Sequence, residues 1–139
     1  MTMKKTLLRM ICFMLTLVLC VSLSAHANAT EINPRYEYAS RVDANISITP
    51  IAGVATCSTI VVAYDDSYTI RAYCYLQYYV NNQWVTLQHW TTTTKEYASI
   101  TGYYAIERGY QYRVLSVGYL YDASGQYVES CSATKQCSY

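Results

Sequence analysis

Histidine, proline and glycine are all scarce in this 139-residue chain, at two, two and five copies, and each scarcity removes a class of chemistry or structure. Once residues 1–29 are set aside as a leader, His89 is the one histidine left. A Cys/His or Ser/His/Asp constellation then has a single available base, and no Gly-x-Ser-x-Gly elbow presents a nucleophile to it. His89 reads as an exposed strand residue. No Cys-x-x-Cys pair is present, so the cysteines do not match zinc spacing and no metal site or cofactor is expected. Basic runs are missing too. Lys4, Lys5 and Arg9 belong to the leader and the remainder is slightly acidic, which argues against nucleic acid and anionic membrane surfaces as partners. After the leader no apolar run approaches spanning length, and no segment carries a 3.6-residue period.

The leader has three parts in the order that export requires: a basic start with Lys4, Lys5 and Arg9, an apolar stretch over residues 10–23, and a small-x-small site at Ala25 to Ala27 or Ala27 to Ala29. The stretch is shorter than the roughly 20 residues of a membrane span. Leu19 before Cys20 is too large for a lipidation box. A cleaved signal and a secreted, extracellular product of about 110 residues, one domain, are the expectation. Cleavage removes Cys12 and Cys20 and leaves Cys57, Cys74, Cys131 and Cys137, an even number that reads as two disulfides in an exported domain.

Residues 30–40, with Pro34 and mixed charge, have no period and read as a flexible lead-in to a domain over 41–139. Strict alternation begins at Val42 and runs through Ala44, Ile46 and Ile48. A turn at Pro50 to Gly53 separates it from a second strand with Ala55, Cys57, Thr59 and Val61 on one parity. Asp65, Asp66 and Ser67 break the pattern. The third strand, 69–80, puts Ile70, Ala72, Cys74 and Leu76 on one side. Asn81 and Asn82 signal a hairpin, 84–90 is the return strand, and Thr91 to Thr94 read as a polar connection. Strands at 96–104, 110–121 and 126–132 complete the set. Seven short strands rich in β-branched and aromatic residues predict an all-β fold, a single antiparallel immunoglobulin-like β-sandwich.

Three residue groups carry a resemblance. Gly109, Tyr110 and Tyr112 open the sixth strand in the way of the corner of immunoglobulin-like and fibronectin type III domains, which implies that the Tyr112 hydroxyl bonds back to the preceding connection. Together with Pro34, Arg35 and Tyr36, and with Leu76, Gln77, Trp84 and Trp90, the chain resembles small exported sandwich proteins of Gram-positive bacteria that have no assigned function. That group brings no catalytic residues to carry over. Antibody domains differ, since no Cys on the sixth strand faces the one on the second.

Tyrosine is the abundant residue, with 17 copies. If Ile70, Ala72, Cys74 and Leu76 face the core, then Arg71, Tyr73, Tyr75, Gln77 and Tyr79 point outward on the third strand. On the sixth, Tyr112, Val114, Ser116 and Gly118 point inward and Arg113, Leu115, Val117, Tyr119 and Tyr121 outward. These strands are neighbours in an immunoglobulin-like order, so Arg71, Tyr73, Tyr75, Gln77, Tyr79, Tyr119 and Tyr121 form a candidate ligand-binding face for a protein or a glycan at a cell surface. The same residues are also good strand formers that stabilise a sheet through cross-strand pairs. A non-catalytic binding module is the leading functional reading, a self-associating structural protein is the alternative, and a hydrolase using the scattered Glu96, Glu107 and Glu129 is a distant third. Asp65 and Asp66 could touch calcium but read first as a solvated turn. Cys57 and Cys74 stand at matching distance from that turn on core-facing parity, which predicts a bridge between them. Cys131 and Cys137, separated by a polar run able to turn back, are expected to form the second, the rival being a link from Cys131 to a core cysteine.

Overall fold

Burial alternates residue by residue along β2 (Val54–Ala63): Ala55, Cys57, Thr59, Val61 and Ala63 are buried and their neighbours are not. That is the signature of a strand with one face against a core. The computed structural model describes Arg35–Tyr139. The leader and residues 30–34 of the lead-in lie outside the described residues. Six further strands complete the fold: β1 (Ala39–Thr49), β3 (Thr69–Val80), β4 (Gln83–Lys95), β5 (Tyr97–Ala105), β6 (Gln111–Tyr121) and β7 (Tyr127–Ser138), with the same alternation running through much of β3, β5 and β6. All pairings are antiparallel, and they build a three-stranded sheet β1-β2-β5 and a four-stranded sheet β4-β3-β6-β7. Among the described residues there is no helix. The protein is a β-sandwich.

Three boundaries differ from the sequence reading. Thr91 to Thr94 belong to β4, paired with Tyr73, Ala72, Arg71 and Ile70, because β-branched threonine suits a strand and β3 supplies the partner. β7 runs on to Ser138. β1 takes in Ala39 and Ser40, with a bulge between Ala39 and Arg41. The residues before it are held: the Glu129 carboxylate accepts the N–H groups of Glu37, Tyr38 and Ala39 at 2.8, 3.0 and 2.9 Å. The Tyr36 hydroxyl donates to the Ser132 carbonyl at 3.1 Å and accepts the Ser132 N–H at 3.0 Å, which occupies an edge position of β7.

Between the sheets, Ile70, Ala72, Cys74, Leu76, Val114 and Leu120 meet Ala55, Cys57, Val61 and Ala98. Two hydroxyls sit among them. Ser116 Oγ donates to the Asp43 carbonyl at 2.8 Å, so in the 2.6 Å contact between Thr59 and Ser116 it is Thr59 that donates. Both hydroxyls are thereby satisfied in the core. Gly102 is demanded by close approach, since a Cβ there would lie 2.2 Å from the Trp90 indole. At the corner, the Tyr112 hydroxyl donates to the Glu107 carbonyl at 2.7 Å and accepts the Glu107 N–H at 3.1 Å, the bond back to the connection that the sequence implies.

Candidate functional site: an aromatic sheet face

Because Ile70, Ala72, Cys74 and Leu76 are fully buried, the alternate residues of β3 must point to the opposite side. The register then sets the neighbours. Across β6, Arg71 faces Tyr119, Tyr73 faces Val117, Tyr75 faces Leu115 and Gln77 faces Arg113. Across β4, Tyr73 faces Thr91, Tyr75 faces His89 and Tyr79 faces Trp84. Arg71, Tyr73, Tyr75, Gln77, Tyr79, Tyr119 and Tyr121 therefore share the outer face of the four-stranded sheet.

Their rings are linked. Tyr73 and Tyr75 lie nearly parallel, with centroids 5.8 Å apart, and Tyr119 meets Tyr73 edge-on at 5.9 Å. Tyr127 of β7 extends the row, 6.4 Å from Tyr119 and 6.1 Å from Tyr121. His89 joins it on the other side, 5.8 Å from Tyr75. Toward the β3–β4 hairpin, Tyr79 and Trp84 pack at 5.1 Å. Two arginines lie on rings, Arg71 over Tyr121 at 5.5 Å and Arg113 over Trp84 at 4.4 Å. Polar contacts brace the middle: Arg113 Nε donates to Gln77 Oε1 at 2.7 Å, and Gln77 Nε2 donates to Thr86 Oγ1 at 3.0 Å.

Burial raises the Tyr75 phenol, with Tyr119 and Tyr73 adding to the effect, and burial lowers Arg113. None of the four strands places an Asp or Glu outward on this face. The surface offers ring faces, phenol hydroxyls and cations, with no carboxylate of its own to repel an anion. Such a surface can stack on a pyranose or seat an apolar protein side chain.

Sequence reasoning missed Trp84, His89 and Tyr127. The reason for the first two is a bulge in β4, where Leu87 and Gln88 together oppose Leu76, so Trp84 and Thr86 point outward on even numbers and His89 and Thr91 on odd ones. Strict alternation cannot place both sets on one face. A second bulge between Leu120 and Tyr121 brings Tyr127 opposite Tyr121.

The other singled-out residues fall elsewhere. The Asp65 carboxylate accepts the Ser67 N–H and hydroxyl, and these bonds hold it below the usual carboxylate range, as a turn residue. Glu96 lies at the β4–β5 corner, Glu107 in the β5–β6 connection, and Glu129 holds the N-terminal residues. They do not converge. All four cysteines are free thiols. Cys57 and Cys74 face the core from opposite sheets, on the parity the sequence predicts, but the expected bridge between them is not formed. The expected link between Cys131 and Cys137 is wrong: both lie on β7, opposite Gly118 and Tyr112, and six residues of continuous strand separate their Cα atoms by about 20 Å, far beyond the roughly 7 Å a bridge allows. Burial first, and then the neighbouring Cys74 and Cys137 thiols, push Cys57 up to about 12, while burial first pushes Cys131 up to about 11.

No family model, curated protein or solved structure matches this chain, so its own geometry carries the functional reading.

Proposed function

We propose that this protein is a secreted, non-catalytic binding module of immunoglobulin-like strand order, and that the outer face of its four-stranded sheet contacts a protein or a glycan at a cell surface. One observation carries the proposal. A continuous row of tyrosines, with Trp84 and His89, covers that face while every carboxylate of the described residues lies elsewhere. A face needed only to hold the sheet together has no reason to exclude acidic residues, since paired charges stabilise strands as aromatic pairs do. Tyrosine supplies a large contact area with few rotors and a polar tip, which suits recognition. The order β1-β2-β5 and β4-β3-β6-β7, with the Tyr112 corner, supports the immunoglobulin-like assignment.

A binding screen of the purified protein on glycans and on cell surfaces tests this reading, with the Tyr73→Ser/Tyr75→Ser double variant as the control. Binding that the variant loses while keeping its fold supports it. Size-exclusion chromatography across dilution tests the self-association alternative: a mass that rises with concentration in the wild type and not in the variant makes the partner a second copy of the chain.

A further inference from the structure

A second site lies between the sheets, at the end where β5 runs into β6, and it is independent of the outer face. A cavity of about 270 Å³ is bordered by Tyr78, Tyr104 and Tyr110, with Leu87 and Ile106 beside them and Glu107 among its lining residues. Its volume is just below the usual range for drug-sized ligands, which suits a head group. Tyr78 and Tyr110 stand almost perpendicular, 77° between ring planes with centroids 5.5 Å apart, so they form two adjoining walls. The Glu107 backbone is held because the Tyr112 hydroxyl bonds both its N–H and its carbonyl, and the residue itself is exposed. Among the described residues its carboxylate makes no ion pair. The adjacent cation does not fill the site: the Arg108 guanidinium donates to the Pro50 carbonyl at 3.0 Å and lies over the Tyr139 ring at 4.7 Å.

We propose that this cavity binds a quaternary ammonium group. Ring faces carry negative charge density and attract a cation that is large, weakly hydrated and apolar at its surface. Glu107 is the one acidic residue among those lining the cavity, so its exposed side chain supplies a full negative charge nearby. An anion would have the like charge of Glu107 nearby, and a neutral apolar group of the same shape would gain burial but no attraction to the rings.

Choline chloride is the probe, titrated into the purified protein at constant ionic strength and followed by the shift of its N-methyl protons and of the tyrosine ring protons. Saturable binding is expected, with the methyl signal moved upfield by the rings. The uncharged isostere 3,3-dimethyl-1-butanol should bind roughly tenfold more weakly. Tyr110→Leu should weaken choline by a similar factor while Tyr110→Phe retains it, and Glu107→Gln should weaken it several-fold. Phosphocholine and a short trimethyllysine peptide, run in parallel, separate a free head group from a modified side chain. Should Tyr110→Leu fail to fold, the isostere comparison and Glu107→Gln still decide. Equal affinity for choline and its isostere, or no saturable binding of any of the three ammonium probes, overturns the proposal.

Discussion

Tyr112 and Tyr73 are the same amino acid with opposite duties, and the difference is measurable. The Tyr112 ring is buried, and its hydroxyl closes two bonds to Glu107. Tyr112→Phe keeps the ring and loses those bonds, which should cost about 0.5 to 1.5 kcal/mol in chemical denaturation. Tyr73→Ser opens no core cavity and gives up only cross-strand contacts, so its cost should stay at or below about 1 kcal/mol. A larger cost for Tyr73→Ser would mean that the aromatic face is structural. Gly102 shows the other limit at this scale. Gly102→Ala drives a methyl into the Trp90 indole and should cost about 2 kcal/mol by the same measurement, since the added Cβ would lie 2.2 to 2.6 Å from three atoms of the ring.

Among the elements, the edges need most explanation. β7 ends the four-stranded sheet, and an open edge is a template for pairing with another chain. Here Tyr36 occupies both backbone groups of Ser132, and Glu129 gathers three N–H groups of the residues leading into β1. Tyr36→Phe should leave the denaturation midpoint nearly unchanged but speed hydrogen exchange at the Ser132 amide. Glu129→Ala should speed exchange at Glu37, Tyr38 and Ala39 and lower stability by about 1 to 3 kcal/mol, because a charged acceptor of three bonds is lost. Unchanged exchange in both variants would show that this contact does not persist in solution.

For the whole molecule, the buried thiols couple the fold to pH. The Cys57 and Cys131 values are raised to about 12 and about 11, against about 8.5 for an exposed thiol. Folding therefore favours the protonated thiols, so their contribution is complete below about pH 8.5, declines as the unfolded chain ionises, and is fully lost once the pH has passed about 12. Buried Tyr112, also raised, acts in the same sense. Denaturation under reducing conditions should show stability falling across that window, and Cys57→Ala should make the fall shallower. A stability that stays flat to pH 12 contradicts the assignment of buried free thiols. Peptide mapping without reductant should return no fragment joining Cys131 to Cys137, because a continuous β7 holds them apart.

The inward parity of Cys57, Ile70, Leu76 and Tyr112, and with it the outward parity of Tyr73, Tyr75 and Tyr119, was legible in the residues, because the two-residue repeat of a strand is a local property that each segment carries alone. The corner was legible too, since the turn glycine and the tyrosine lie within four residues of each other. Register was not. Whether Thr91 to Thr94 form strand or connection depends on β3 being there to pair with them, and whether Cys131 and Cys137 can meet depends on β6 keeping β7 extended. The bulge at Leu87, which brings Trp84 and His89 onto one surface, arises from how β4 seats against Leu76. Likewise the cavity between Tyr78, Tyr104 and Tyr110 exists only once the two sheets are assembled, because its lining comes from strands of both. These features follow from the register between paired strands and from the placement of the two sheets, which are set by burying one common core and not by the period of any single strand.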